Sequence, residues 1–186
     1  MMPNATFATG DPQDIPAVLA NKDHRAALQH HLVTTYPDQA VLALKLNIPG
    51  PIKNNARLTA TFNAGLTAFD QVLHDHALAY QLVEQWDHPT GPEAFLRSPA
   101  AATTLKAVAV NFEDHHPLGR LFDIDVLTSQ QPGPLSRQDS GLPVRRCFIC
   151  DQPAKVCARS RAHSVAELQA AIDHTITTYF DEQETD

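Results

Sequence analysis

Two aspartates with one residue between them, Asp123 and Asp125, lie in the sequence Phe-Asp-Ile-Asp-Val. Because side chains alternate across a β-strand, the two carboxylates share one face and the apolar residues share the other. Two residues of strand place the Cα atoms about 6–7 Å apart, and a hydrated divalent cation can bridge carboxylates at that spacing. Many nucleotidyltransferases hold Mg²⁺ on such a pair. A strand with a solvated acidic face is the alternative interpretation.

Residues before the aspartate pair add to the Mg²⁺ hypothesis. Gly119 and Arg120 combine a flexible turn with a fixed positive charge, which suits an anion beside the metal. Glu113, predicted at the end of a neighbouring strand, could supply a third carboxylate to the metal. An exposed strand end is the simpler explanation for Glu113.

All three cysteines lie between positions 147 and 157, and a histidine follows at position 163. The spacing could place Cys147, Cys150, Cys157 and His163 around one tetrahedral Zn²⁺, as a closed structural site. The alternative is three reduced thiols packed as small hydrophobic side chains. Residues 147–163 are called the Cys/His knuckle below.

The elements that must position these residues are predicted from hydrophobic periodicity. Apolar positions at helical spacing predict helices over 15–36 and 58–73, and Ser164 with Glu167 forms a capping-box pattern that opens a final helix. Alternation and short apolar runs predict strands over 41–48, 80–86, 105–113 and 121–127. A turn at 116–119 would join the last two strands as a hairpin, and 129–143 is predicted to be a long surface loop.

These elements predict an α+β fold, a mixed β-sheet with flanking helices of the nucleotidyltransferase-like kind. The chain has 186 residues, a length that suits one domain with a core of ordinary size. We therefore predict a single domain over residues 1–186, with the Cys/His knuckle inside it.

Composition argues against several classes of protein. Hydrophobic residues make up 43% and charged residues 19% of the chain, a balance typical of globular proteins. The formal net charge of −7 repels phosphate backbones, so no nucleic-acid partner is expected. No segment approaches the roughly 20 apolar residues that cross a bilayer, and the N-terminal residues lack the features of a signal peptide. We expect a cytoplasmic protein without a membrane partner.

Several segments together resemble one protein family. Residues 116–126 read His-Pro-Leu-Gly-Arg-Leu-Phe-Asp-Ile-Asp-Val, and this stretch is similar to the signature of the apo-citrate lyase phosphoribosyl-dephospho-CoA transferases. Other segments resemble the same family in the same order, namely 49–53, 62–65, 91–93, 136–137, 143–150, 157–159 and His163. The resemblance covers roughly residues 12 to 175.

The resemblance implies an activity. Such enzymes transfer phosphoribosyl-dephospho-CoA from 2′-(5″-triphosphoribosyl)-3′-dephospho-CoA to a serine of the acyl carrier subunit of citrate lyase, and they release pyrophosphate. The expected partners are this carrier subunit and the triphosphoribosyl substrate. Asp125 or His116 could be the general base. The candidate phosphate contacts besides Arg120 are Lys53, Arg137, Arg145 and Arg146.

Two other functions remain open from the sequence. A related transferase that modifies another carrier, such as the malonate decarboxylase counterpart, would use the same paired aspartates. A small metal-stabilised interaction module would use the Cys/His knuckle for architecture alone, and its acidic strand would bind nothing.

Overall fold

The protein is described by a computed structural model over residues 5–184. Residues 1–4, part of the segment predicted to contain no signal peptide, and residues 185 and 186 of the predicted domain lie outside the described residues. The helices and strands are, in order, α1 (Ile15–Thr35), β1 (Ala40–Leu46), α2 (Ala56–Asp75), β2 (Gln81–His88), β3 (Gly91–Ser98), α3 (Ala102–His115), β4 (Phe122–Leu127), α4 (Ala154–Ser160) and α5 (Val165–Gln183).

The four strands form one sheet in the order β2–β3–β1–β4. Each pair of neighbouring strands is antiparallel, so the prediction of a mixed sheet is wrong for the residues that the structure describes. Gly91 and Pro92 are typical of turns, but together with Glu93 they begin β3 and complete a hairpin with β2. The prediction of one sheet with flanking helices is confirmed.

Residues 105–113 form most of α3 rather than the predicted strand. Alternating valines suggested a strand, but Leu105, Ala109 and Phe112 recur at spacings of four and three and pack together in the core. Because this segment is a helix, it offers no strand to pair with β4, and the predicted hairpin is wrong as well. The partner of β4 is β1, where Ala43 lies opposite Asp125.

The sheet separates two apolar clusters. Side chains of α2, α3 and α5 cover the larger cluster, which includes Leu44, Phe62 and Phe122. On the opposite face, the second half of α1 covers a smaller cluster that includes Val41 and Phe95. The aspartates alternate with Phe122 along β4, so they lie on the face of the smaller cluster.

Helices α2 and α5 have side-chain caps at their N-termini. Asn55 Oδ1 accepts from the Leu58 N–H at 2.9 Å at the start of α2. Ser164 and Glu167 form the predicted capping box at the start of α5. This cap fixes the chain direction immediately after His163, the last predicted ligand of the Cys/His knuckle. Residues 129–143 contain no helix or strand, as predicted.

Candidate active site and metal centre

Charged residues of three adjacent strands form a row on the sheet face that carries the aspartates. Glu93 of β3 lies opposite Lys45 of β1, and Lys45 lies opposite Asp123 of β4. Cross-strand neighbours of this kind have Cβ atoms about 4.5–5.5 Å apart. Glu93, Lys45 and Asp123 are called the polar row below. In this row an ammonium group lies between two carboxylates.

Lys45 connects the two predicted metal ligands. Its Nζ donates to Asp123 Oδ2 and lies 3.8 Å from Asp125 Oδ2. The aspartate side chains are 41% and 29% exposed, respectively. The structure therefore places both carboxylates on one face within reach of solvent, and it places an ammonium group between them.

The two aspartates differ in their protonation behaviour. Burial would raise the pKa of Asp123, but the attraction and hydrogen bond of Lys45, together with Arg145, outweigh burial and lower the pKa below its ordinary value. Burial dominates at Asp125, where it raises the pKa despite the attraction of Lys45. Asp123 is therefore the more firmly ionised group, and Asp125 is the better proton acceptor.

Side chains outside the sheet hold the free edge of β4. Glu113 Oε1 accepts from the Ile124 N–H at 2.7 Å, and Lys106 Nζ donates to the Ile124 carbonyl at 3.2 Å. Arg145 donates to the Phe122 carbonyl at 2.8 Å. These contacts satisfy backbone groups that an edge strand would otherwise expose, and they fix the strand that carries the aspartates.

Glu113 already has partners for both carboxylate oxygens. Its Oε2 accepts from Arg137 and lies 3.7 Å from Arg145 Nη1. Arg137 also donates to both oxygens of Asp114, at 3.0 and 2.9 Å. Burial would lower the pKa of Arg137, but its bonds to Glu113 and Asp114 raise it. Within residues 5–184, Glu113 does not converge with the aspartate pair into a group of three potential metal ligands.

Three of the predicted phosphate-binding arginines gather at the start of β4. Arg145 Nη1 lies 3.6 Å from Asp123 Oδ1. Arg120 donates to the carbonyl oxygen of Arg146. Burial lowers the pKa of Arg120, and repulsion from Arg145 adds to this effect. Arg145 also donates to the Arg120 carbonyl at 2.8 Å. The structure therefore brings Arg120, Arg145 and Arg146 together, and Arg145 connects this group to Asp123.

Gly119 enables the close approach of this segment to α3. A Cβ atom at position 119 would overlap the carbonyl oxygen of Phe112. Gly119 was expected to provide a flexible turn. In the structure, its lack of a side chain is what allows the two backbone segments to pack together. Arg120 is positioned by this contact.

Two further predicted site residues lie apart from the aspartates. The ring of His116 stacks on Phe112 with centroids 4.7 Å apart, in the apolar cluster on the other face of the sheet, and burial lowers its pKa. Lys53 Nζ donates to the Ile48 carbonyl at 2.6 Å, and burial lowers its pKa as well. This placement favours Asp125 over His116 as the general base.

Lys45 and the residues around Glu93 belong to the site but were not among the residues predicted from the sequence. Glu93 is 2% exposed, and its Oε1 accepts from Arg25 at 2.8 Å and from Asn21 at 2.6 Å. Its buried Oε2 has no hydrogen-bond partner in the part of the chain that the structure describes. Lys45 could have been found, since it is the one charge in the apolar sequence Val-Leu-Ala-Leu-Lys-Leu. The Gly-Pro before Glu93 concealed its strand.

The Cys/His knuckle brings its four predicted ligands together. The ligand atoms of Cys147, Cys150, Cys157 and His163 all lie within 4.8 Å of one another. Cys150 Sγ lies 3.5 Å from Cys157 Sγ and 3.3 Å from His163 Nε2. Tetrahedral Zn²⁺ with its usual bond lengths would separate such ligands by about 3.5–3.8 Å. The cluster has the ligand types of a closed zinc site, and the two contacts of Cys150 lie close to the separations in such a site.

Local backbone bonds explain why these ligands converge. The Cys147 N–H donates to the Gln152 carbonyl at 2.7 Å, and Arg146 pairs with Pro153 in an isolated β-bridge. These contacts close the turn that carries the first two cysteines. Cys157 lies on the short helix α4, whose start follows directly from this turn.

The thiols differ in acidity. Burial would raise the pKa of Cys147, but backbone N–H groups of Ile149 and Cys150 and the neighbouring thiols lower it to about 7. Burial and the neighbouring thiols raise the pKa of Cys157 to about 12. N–H groups directed at Cys147 favour its thiolate, the form that binds metals.

Comparisons with known proteins agree on one family. The family described as apo-citrate lyase phosphoribosyl-dephospho-CoA transferase matches residues 13–179. A Streptococcus pyogenes serotype M18 (strain MGAS8232) protein named "Probable apo-citrate lyase phosphoribosyl-dephospho-CoA transferase" is 37% identical over 177 residues, 94% of this chain and 91% of the relative. An Escherichia coli O1:K1 / APEC protein named "Apo-citrate lyase phosphoribosyl-dephospho-CoA transferase" is 38% identical over 162 residues, 87% of each chain. No helix within residues 5–184 is long and apolar enough to span a membrane.

Proposed function

Because the chain belongs to the apo-citrate lyase phosphoribosyl-dephospho-CoA transferase family, we propose that it attaches this prosthetic group to a carrier protein. The substrate is 2′-(5″-triphosphoribosyl)-3′-dephospho-CoA, the acceptor is a serine of the acyl carrier subunit of citrate lyase, and pyrophosphate is released. The observation that carries the proposal is the solvent-accessible pair of Asp123 and Asp125, flanked by Lys45 and Arg145.

The residues of the site suit an in-line attack on a phosphate. The serine oxygen forms a bond to the α-phosphorus, the bond from that phosphorus to the bridging oxygen breaks, and pyrophosphate leaves with the electron pair. Asp125 accepts the serine proton, since burial raises its pKa towards the range of a useful base. Lys45 and Arg145 stabilise the negative charge that develops on the phosphoryl oxygens.

We propose Mg²⁺ as the cofactor that Asp123 and Asp125 hold. Both residues offer carboxylate oxygens, the ligands that Mg²⁺ prefers. Lys45 lies between them, so metal binding requires the ammonium to release at least one of its two contacts. When bound, Mg²⁺ supplies charge neutralisation for the departing pyrophosphate. The nucleotidyltransferase-type description of the fold and reaction is part of this proposal and rests on the same pair.

The arginines around the pair divide into two roles. We assign Arg120, Arg145 and Arg146 to the substrate phosphates because they gather beside Asp123, and Lys53 to a more distant phosphate. Arg137 and Glu113 bind each other in a buried ion pair. We assign this pair to the positioning of Arg145, in place of the direct site roles that the sequence predicted.

The Cys/His knuckle is proposed as a structural Zn²⁺ site within a single domain over residues 1–186. Three cysteines and one histidine fill all four tetrahedral positions, so no position remains for substrate. Zinc binding requires reduced thiols, which supports the proposal of a cytoplasmic location.

Mass spectrometry of a carrier protein tests the transferase proposal. Apo-acyl carrier subunit of citrate lyase, incubated with the enzyme, substrate and Mg²⁺, should gain the mass of one phosphoribosyl-dephospho-CoA group. Replacing the acceptor serine by alanine should abolish the gain. Modification of a malonate decarboxylase carrier in preference to the citrate lyase carrier would assign the chain to the related transferases instead, and an unchanged mass of both carriers would contradict the proposed activity.

A further inference from the structure

A cavity lies between the Cys/His knuckle, the start of β4 and α5. Its volume is about 290 Å³, close to the lower end of the range for small-ligand sites. Phe148, Leu168 and Ile172 form an apolar part of its wall, and Cys157 and His163 contribute the side formed by the knuckle. The cavity therefore depends on the knuckle packing against α5.

Four arginines line this cavity, namely Arg120, Arg145, Arg146 and Arg161. No aspartate or glutamate lines it among the residues that the structure describes. The whole chain has a formal net charge of −7, so the local charge is opposite to that of the molecule. Behind the wall, Arg120 lies 4.0 Å from Asp114 and Arg145 lies 3.7 Å from Glu113, so acids balance part of this charge. An anion inside the cavity would reduce the remaining repulsion between the arginines. Guanidinium groups bind phosphate oxygens through paired hydrogen bonds.

Arg145 connects the cavity to the aspartate pair. It lines the cavity, and its Nη1 lies 3.6 Å from Asp123 Oδ1. A phosphate chain that reacts beside Asp123 can therefore extend along Arg145 into the cavity. The phosphates beyond the reacting one carry more negative charge than the diphosphate diester of the transferred group, so they match a cavity with four arginines better.

Arg161 reaches the same cavity from the knuckle. It ends α4 in the left-handed conformation, with φ 51° and ψ 43°, at a helix position where glycine is favoured. A guanidinium group therefore occupies a position whose backbone conformation favours glycine. The side chain is exposed, and it is accessible to a ligand that enters the cavity.

We propose that this cavity binds the diphosphate end of the substrate triphosphate, which leaves as pyrophosphate, and that Arg161 is one of its binding residues. This inference rests on the proposed function and names the position of its leaving group. The Cys/His knuckle then has a task besides stability, because it supplies one wall of the leaving-group site and the arginine at its end.

Calorimetric titration of the zinc-loaded protein with inorganic pyrophosphate, in the presence of Mg²⁺, tests the proposal. Arg161→Ala should weaken pyrophosphate binding at least about 10-fold, since it removes charge-assisted hydrogen bonds. Arg159→Ala is the matched control, because Arg159 is an exposed arginine of the same helix that does not line the cavity. It should bind pyrophosphate as the wild type does. Zinc content and melting temperature, measured for both variants, should be unchanged.

A second titration separates two sources of the same chemistry. 3′-Dephospho-CoA contains its own diphosphate, and Arg161→Ala should leave its affinity unchanged. The proposal is overturned if the wild type does not bind pyrophosphate, if Arg161→Ala binds it as tightly as the wild type, or if only dephospho-CoA binding is lost. The titration needs no carrier and no turnover. An unmodified carrier together with normal pyrophosphate binding would therefore count against the transferase proposal, and only the pyrophosphate-binding cavity at Arg161 would remain.

Discussion

The aspartate pair and the Cys/His knuckle are both groups of potential metal ligands, but their charges are balanced differently. Asp123 and Asp125 have cationic partners within the protein, Lys45 and Arg145. The four knuckle ligands lie within 4.8 Å of one another, and Cys150 makes its close contacts with two other members of the group. The aspartate pair therefore has its charge balanced by the protein. The proposed zinc ion would supply the positive charge that the knuckle ligands need.

In the proposed function, this difference separates a metal used in turnover from a metal used in folding. A carboxylate pair that an ammonium group already neutralises can bind and release Mg²⁺ with substrate at modest cost. A closed set of four thiolate and imidazole ligands binds Zn²⁺ tightly and gives it up slowly. Substitutions in one group therefore test whether the properties of the other group change.

Loss of a knuckle ligand has the largest expected effect. His163→Asn should reduce bound zinc from about one equivalent to near zero and lower the melting temperature by at least about 10 °C, because structural zinc contributes directly to folding. Elemental analysis and calorimetry measure both quantities. His174→Asn changes an exposed histidine of α5 and should alter neither. Zinc well below one equivalent in folded, active wild-type enzyme would mean that the knuckle binds no metal.

Removal of the charge of Glu113 should destabilise the protein less than the loss of a knuckle ligand does. The destabilisation should come from the part of the fold beside the aspartates. Glu113→Gln can keep the hydrogen bond to the Ile124 N–H, but it removes the charge of the more buried of the two acids that pair with Arg137. Breaking such a pair costs about 3 kcal/mol in the free energy of unfolding. Asp114→Asn, at a more exposed acid that also contacts Arg137, should cost about 1 kcal/mol or less. Chemical denaturation compares the two, and equal losses would argue against a special role of Glu113.

Neutralisation of the aspartate pair should act on transfer alone. Asp123→Asn should lower the transfer rate at least about 100-fold, the scale on which removal of preorganised electrostatic stabilisation is felt. Zinc content should remain at one equivalent. Asp139→Asn, in the exposed loop, is the control. Transfer at the wild-type rate in Asp123→Asn would remove Asp123 from the catalytic site.

Replacement of the ammonium group between the aspartates should change Mg²⁺ binding by a smaller factor, and in a specific direction. Lys45→Met should tighten Mg²⁺ binding in the absence of substrate about 10-fold, because a nearby like charge no longer opposes the metal. Lys45 also lowers the pKa of Asp125, so its removal raises that pKa and moves the acidic limb of the pH–rate profile to higher pH. Lys22→Met, on the exposed side of α1, should change neither. Weaker Mg²⁺ binding in Lys45→Met would show that Lys45 supports the site.

Local pattern predicted the parts of the site that lie within single segments. The alternation in β4 predicted that Asp123 and Asp125 share one face. The spacing of the cysteines and the histidine predicted that the four ligands of the knuckle lie together. The capping box at Ser164 also followed from local chemistry. These features depend on backbone geometry over a few residues, which the sequence determines directly.

Contacts between distant segments could not be predicted in this way. Residues 105–113 have an alternating apolar pattern as well as a helical one, and periodicity alone does not distinguish a strand from a helix over so short an apolar run. The incorrect assignment to a strand placed Glu113 beside the aspartates as a strand neighbour. Lys45 meets Asp123 across 78 positions of sequence, and only the pairing of β1 with β4 brings them together.

Removal of weakly bound metal by gel filtration into metal-free buffer, followed by metal analysis and a transfer assay, tests most directly whether the two ligand groups hold different metals for different purposes. After this step, the enzyme should retain about one equivalent of zinc and an unchanged melting temperature, yet transfer no prosthetic group to the carrier. Addition of Mg²⁺ alone should restore full transfer. Full transfer without added Mg²⁺, or recovery that requires Zn²⁺ in place of Mg²⁺, would contradict the division between an exchangeable catalytic site and a closed structural site.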